Sequence, residues 1–134
     1  MILRRPTTSD AAAIRSLHAH LSHPNPELVD PAVDGPFRCR VAVTSGRVIG
    51  YAVAMPGRPT VLLELAVAPG HRRQGHGRAL LASVAVDADR VEACTPEDND
   101  DAIRFYRTQG FAEADRLPGF YADGTEALRL VRGE

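Results

Sequence analysis

Apolar residues along this chain recur in two rhythms, one of alternate positions and one of three- and four-residue steps, and the switches between them mark its elements. Ile2 to Arg5 reads as a short first strand. A run of N-cap residues, Thr7, Thr8, Ser9 and Asp10, comes next, and behind it Ala13, Ile14, Leu17, His18 and Leu21 repeat at helical spacing, predicting a first helix. Four prolines then interrupt Ser22 to Pro36, so that stretch reads as a loop or at most a helical turn. Arg38 to Thr44 and Arg47 to Met55 are apolar or alternating runs joined by Ser45-Gly46, a hairpin. Thr60 to Val67 is a further strand. Gly77, Leu80, Leu81, Val84 and Ala88 share one face of a helix expected to stop near Asp87 to Asp89. Arg90 to Thr95 is a buried strand, and Asn99 caps a helix that Gly110 closes, with Asp100 and Asp101 in its acidic first turn. Phe111 to Arg116 and Glu126 to Val131 pair as the last strands.

Strands before, between and after the helices predict an α/β (α+β) fold, a mixed central sheet of about six to seven strands whose middle supplies the parallel crossovers. At 134 residues the chain is expected to form one domain over 1–134, large enough for a core without disulfides or metal. A net charge of -1 with both signs interspersed gives no basic footprint for nucleic acid. All 16 basic residues are arginine, so no lysine of the chain can be a target of self-acetylation. Cys39 and Cys94 lie far apart in apolar runs and read as buried thiols of a reducing compartment. The longest apolar run, Val61 to Ala68, is too short to span a bilayer, and Arg4 and Arg5 precede no apolar segment of a secretory signal. A cytosolic protein is expected, with neither membrane nor nucleic acid as partner.

The densest chemistry lies in Val67-Ala-Pro-Gly-His-Arg-Arg-Gln-Gly-His-Gly-Arg78. It leaves a strand, turns at Pro69-Gly70 and enters a helix, whose first N–H groups have no intrahelical partner and face the positive end of its dipole. Gly75 and Gly77 allow a ligand close to the backbone, so the segment reads as an anion cradle for a diphosphate. A P-loop fails, because His76, Gly77 and Arg78 follow Gly75 with no hydroxyl for magnesium; a dinucleotide fold fails on Leu80, where its third glycine or alanine would stand. What is left, Arg72-x-x-Gly75-x-Gly77 behind a Val-x-Pro strand end, resembles the acetyl-CoA pyrophosphate loop of the GNAT superfamily of N-acetyltransferases. Asn99-x-x-Ala102-x-x-Phe105-Tyr106-x-x-x-Gly110-Phe111 is similar to a second segment of that family, in the same order and at a matching distance.

The resemblance, clearest from Glu64 to Phe111, implies the GNAT sheet, with helices on both faces and two central strands, those of Glu64 and Cys94, splayed to admit acetyl-CoA. It implies a cofactor site of Ala66, Val67, Arg72, Arg73, Gln74, Gly75, His76, Gly77, Arg78, Asn99 and Phe105. A backbone N–H near Ala66 or Val67 would hold the thioester oxygen, and Asn99 would reach the pantetheine arm unless capping alone explains it. Tyr106 would protonate the departing thiolate, or else be an aromatic core residue.

Glu64 is the one charge in Val61 to Val67, and alternation sets it with Leu62 and Ala66 on one face. A carboxylate so placed is a candidate base for the acceptor ammonium, its bland alternative being an ion pair with an arginine. His18, His20 and His23 share no helix face and lack a completing ligand, so no metal site is expected, and His18 alone reads as a core or pocket residue. No nucleophile motif surrounds a cysteine or serine, which points to direct attack of the amine in a ternary complex. The acceptor, a small molecule or a peptide N-terminus, would be chosen by Ser22 to Pro36 and Leu117 to Thr125. A homodimer is compatible with the sequence, and the alternative function is a non-catalytic acyl-CoA-binding module.

Overall fold

A computed structural model gives the fold for residues 1–19, 21 and 35–133. The expected loop over Ser22 to Pro36, except for its last two residues, lies outside the described residues, as do His20 and His23. The strands are β1 (Ile2–Arg4), β2 (Arg38–Thr44), β3 (Arg47–Met55), β4 (Thr60–Val67), β5 (Arg90–Pro96), β6 (Ala112–Leu117) and β7 (Ala127–Gly133). Three α-helices lie between them among the described residues, α1 (Ala11–His18), α2 (His76–Val84) and α3 (Asp100–Thr108). The sheet is mixed and seven-stranded in the order β1-β2-β3-β4-β5-β7-β6. Every neighbouring pair is antiparallel except β4 and β5, which the crossover through α2 makes parallel.

Local chemistry accounts for these elements. Asp10 accepts the Thr7 N–H at 2.7 Å and two guanidinium contacts from Arg4, fixing the entry to α1. Ser45 and Gly46 both have positive φ, +51° and +74°, the type I′ geometry that matches strand twist, and β2 and β3 fold back there. Two apolar layers flank the sheet. Ile14 and Leu17 of α1 pack on Val41, Tyr51, Val53 and Ala66 on one face. Leu80, Leu81 and Val84 of α2, with Tyr106 and Phe111, pack on Leu62, Val91 and Leu130 on the other. Gly50 is where α2 presses closest, since a Cβ there would stand 3.0 Å from both Leu80 Cδ1 and the Ala66 carbonyl oxygen.

Three local readings are corrected by the fold. β4 carries a bulge: Val53 pairs with Glu64 and Ala54 with Leu62, leaving Leu63 without a partner in β3. Leu62 therefore faces the α2–α3 layer while Glu64 and Ala66 face α1, so strict alternation fails at Leu63. Helix α2 ends at Val84 and not near Asp87 to Asp89. Asp87 takes a left-handed φ of +68° that no helix continues through, and Arg38 binds the Val84 and Val86 carbonyls at 3.2 and 3.3 Å. Cys39 is buried as expected, but Cys94 is exposed. It follows Ala93, the last residue of β5 paired to β4, on the sheet face opposite the α2–α3 layer.

Candidate active site

The cradle is built where β4 ends. Pro69–His71 form a single 3-10 turn, and the Arg72 Nε then reaches back 3.1 Å to the Val67 carbonyl, closing the turn across its base. Arg73 and Gly75 have φ of +60° and +85°, and such left-handed residues next to extended or helical ones curl successive N–H groups toward one point. The first backbone bond of α2 runs from the Ala79 N–H to the Gly75 carbonyl, so the N–H groups of His76, Gly77 and Arg78 have no intrahelical acceptor. Arg72, Arg73, Gln74 and Arg78 are exposed around that opening. His76 is turned inward, its Nδ1 on Met1 Sδ and its Nε2 3.2 Å from Gln74 Oε1. The two glycines differ in role. A Cβ at Gly75 would meet nothing within 4 Å, whereas one at Gly77 would stand 3.2 Å from Phe105 Cε1, so Gly77 lets α3 close against α2.

Beyond the cradle the sheet opens. β4 and β5 pair only at Thr60–Val91, Val61–Glu92 and Leu62–Ala93; past that point each strand goes its own way, β5 staying with β7 as far as Pro96. The Ala68 N–H donates to the Ile49 carbonyl in β3 at 2.7 Å. Backbone groups alternate sides along a strand, so those of Val67 and Leu65 face the opened edge, and those of Ala66 face β3. Of the pair Ala66 and Val67, Val67 thus presents its N–H to the gap.

Tyr106 comes to this gap from α3. Its ring packs edge-on between Phe105 and Phe111, each with centroids 5.3 Å away. No hydrogen bond of its hydroxyl is seen among the described residues, and the residue as a whole is 8% exposed. Burial of the ring and the proximity of Tyr121 and Cys94 push the Tyr106 hydroxyl above the ordinary phenol range, so it is held protonated. Tyr121, from the turn between β6 and β7, is pushed up to about 12 by burial and by Cys94. Asn99 is occupied as a cap, its Oδ1 accepting the Ala102 N–H at 3.2 Å.

Glu64 is held from two sides. The bulge at Leu63 points it toward α1, where its side chain is only 7% exposed. Tyr51, fully buried on β3, donates its hydroxyl to Oε1 at 2.9 Å, and His18 of α1 sets Nε2 3.2 Å from Oε2. No arginine pairs with it among the described residues. His18 was readable as a pocket residue from its place on the apolar face of α1, but nothing in an apolar strand marked Tyr51 as a partner of Glu64.

The sequence matches the profile of the acetyltransferase (GNAT) family over residues 7–111, and the chain belongs to that family. Over 55 residues it is 47% identical to a mycothiol acetyltransferase of Clavibacter michiganensis, a match covering 41% of this chain and 18% of that protein. Over 71 residues it is 38% identical to N-alpha-acetyltransferase 30 of Xenopus laevis, covering 49% of this chain and 26% of the relative. The aligned stretches thus span about a quarter or less of these relatives' lengths. The crystal structure of Ard1 from Thermoplasma volcanium superposes with a TM-score of 0.85 at 25% identity, over 98% of this chain and 95% of that one.

Proposed function

We propose that this protein transfers the acetyl group of acetyl-CoA to a primary amine by direct attack within a ternary complex. The observation that carries the reading is the gap between β4 and β5, which begins after Leu62 and Ala93 and has the cradle at one end and Tyr106 beside it. The diphosphate would sit on the N–H groups of His76, Gly77 and Arg78, with Arg72, Arg73 and Gln74 around it, and Phe105 and Asn99 would flank the pantetheine arm. The thioester carbonyl would lie at the Val67 N–H, a donor aimed where negative charge develops.

The proton balance fits the groups present. The acceptor enters as an ammonium and must lose one proton before it attacks, and Glu64 takes it directly or through water. Attack on the thioester carbon gives a tetrahedral intermediate with a cationic nitrogen. Its collapse breaks the C–S bond, the sulfur takes a proton from Tyr106, and the second nitrogen proton restores the tyrosine. One proton is released per turnover. A covalent acetyl-enzyme is disfavoured, since burial pushes Cys39 up to about 12 and partial desolvation raises Cys94 despite its solvent exposure, leaving little thiolate.

The relatives bear names that refer to mycothiol in one case and an α-nitrogen in the other, which supports keeping small amines and peptide N-termini together as the acceptor class. A cytosolic setting is part of this proposal, resting on the free thiols of Cys39 and Cys94. The deciding experiment measures CoA-thiol release from acetyl-CoA over a panel of amino acids, polyamines, aminoglycosides and short peptides. Amine-dependent thiol release is expected with at least one class; acetyl-CoA binding without turnover on any would favour a non-catalytic acyl-CoA-binding module.

A further inference from the structure

Among the described residues, the carboxylates that form ion pairs form them with arginine, with one exception. Asp10 binds Arg4; Glu92 binds Arg90 and Arg129; Asp115 binds Arg129; Glu97, Glu113 and Glu126 gather on Arg116. Arginine does not give up its proton, so each of these contacts fixes a permanent ion pair. Glu64, whose side chain is as buried as any of them, has histidine. Histidine is the partner that can take a proton back.

From the buried pair His18–Glu64 we infer that His18 is a proton-accepting positioning residue, receiving through Glu64 the proton that the acceptor ammonium gives up; this rests on the reading of Glu64 as the base.

The geometry makes the transfer short. The His18 Nε2 and Glu64 Oε2 are 3.2 Å apart with both side chains 7% exposed, so solvent has little access to either end. Tyr51 cannot compete for the role. Burial and the adjacent carboxylate push its hydroxyl above the phenol range, so it stays a donor to Oε1 and orients the carboxylate. Cys39, also in this layer, is held as a neutral thiol by burial.

In the transfer the ammonium N–H bond breaks as a Glu64 O–H bond forms, and the proton on Oε2 passes to the Nε2 lone pair of His18, whose ring N–H is then the one at Nδ1. The outcome is carboxylate beside imidazolium, a neutral pair. After the products leave, the proton returns through Glu64 to the emptied acceptor site and from there to solvent, which resets the pair.

The test is single-turnover acetyl transfer, which isolates the chemical step, for the wild type, His18→Gln and Glu64→Gln. Glutamine at 18 can still hydrogen bond to Glu64 but cannot accept a proton. His18→Gln is expected to bind acetyl-CoA with unchanged Kd and to slow transfer by roughly tenfold or more, a share of the usual worth of a proton-transfer group. In mixtures of light and heavy water, with Tyr106→Phe as background so that the thiolate proton does not contribute, the rate should depend on isotope fraction with the curvature of two moving protons, and with His18→Gln added, the straight line of one. A wild-type rate in His18→Gln beside a slow Glu64→Gln would overturn the relay and leave Glu64 as the base. A fast Glu64→Gln would remove the base itself and the relay with it. Should His18→Gln not fold, the Tyr106→Phe isotope curve decides alone, because a straight line there excludes a second proton in flight.

Discussion

Replacing Gly75 with alanine isolates the cradle from the rest of the site. The residue sits at φ +85°, and an added Cβ would meet no atom within 4 Å, so the protein itself has room for a methyl group there. The cost to the unliganded fold is therefore conformational, about 1–2 kcal/mol for placing a side chain in the left-handed region. With an unfolding entropy near 2.1 cal/mol/K per residue, that corresponds to a Tm lower by about 4–7 °C. Valine would cost more, being β-branched, and is the poorer probe. The empty space around that Cβ is where the diphosphate is proposed to approach, so the methyl group should weaken acetyl-CoA by at least about tenfold, equivalent to 1.4 kcal/mol. Thermal denaturation with and without ligand reads both effects at once. Acetyl-CoA at a hundred times the wild-type Kd should stabilise the wild type by about 2.7 kcal/mol, a rise near 10 °C, and Gly75→Ala by half that or less. Calorimetry gives the two Kd values directly. A variant that melts lower but gains the full 10 °C or so from acetyl-CoA would place the cofactor elsewhere.

Other perturbations read other parts of the site. Tyr106→Phe keeps the ring contacts with Phe105 and Phe111, so Tm should stay within a degree or two while the transfer rate falls, with acetyl-CoA affinity unchanged; a large stability loss would show the hydroxyl to be structural. Glu64→Gln should lower kcat/KM at neutral pH by about a hundredfold or more and recover part of it at high pH, where more acceptor amine is already neutral; a pH-independent deficit would contradict the base assignment. Asp10, held down to about 2 by the Arg4 guanidinium, has a folded value below its unfolded one. Its contribution is therefore complete above about pH 4 and lost as pH falls toward 2; relative to Asp10→Asn the wild type should gain about 1–2 kcal/mol at pH 7, half-exposed Arg4 limiting the figure, with urea titrations converging in acid. Iodoacetamide at neutral pH should label Cys94 slowly and Cys39 not at all in the native protein, and intact mass after incubation with acetyl-CoA alone should show no added acetyl group; a stoichiometric acetyl adduct would demand a covalent mechanism.

The parts of this site that were legible in the sequence are those made by contiguous chain. Gly75, Gly77 and Arg72 sit in one turn, and Asn99, Phe105 and Tyr106 on one helix, so spacing alone carries their geometry. The partner of Glu64 was not legible, because His18 and Tyr51 lie 46 and 13 residues away and only the folded sheet brings them together. The bulge at Leu63 was equally hidden. Leu62, Leu63 and Leu65 are all leucine, so no polarity change marks the position where alternation slips and Glu64 turns toward α1. Cys94 reads as core from its apolar neighbours, and its exposure depends on β4 and β5 having already parted company.

That parting has a mechanical side. Among the described residues, three residue pairs and the layer of α2 and α3 join β1–β4 to β5–β7, so the seven strands form two half-sheets sharing a short seam. A cofactor lying in the opening would stand in for the missing strand and brace one half against the other. Amide protons on the opened edge, those of Leu65 and Val67 first, should exchange with solvent early in the free protein and slow sharply once acetyl-CoA is bound, while those paired between β2 and β3 change little. On the proposed function the cosubstrate would be consumed at every turnover along with the stiffness it lends, and the protein would relax along its seam each time CoA departed.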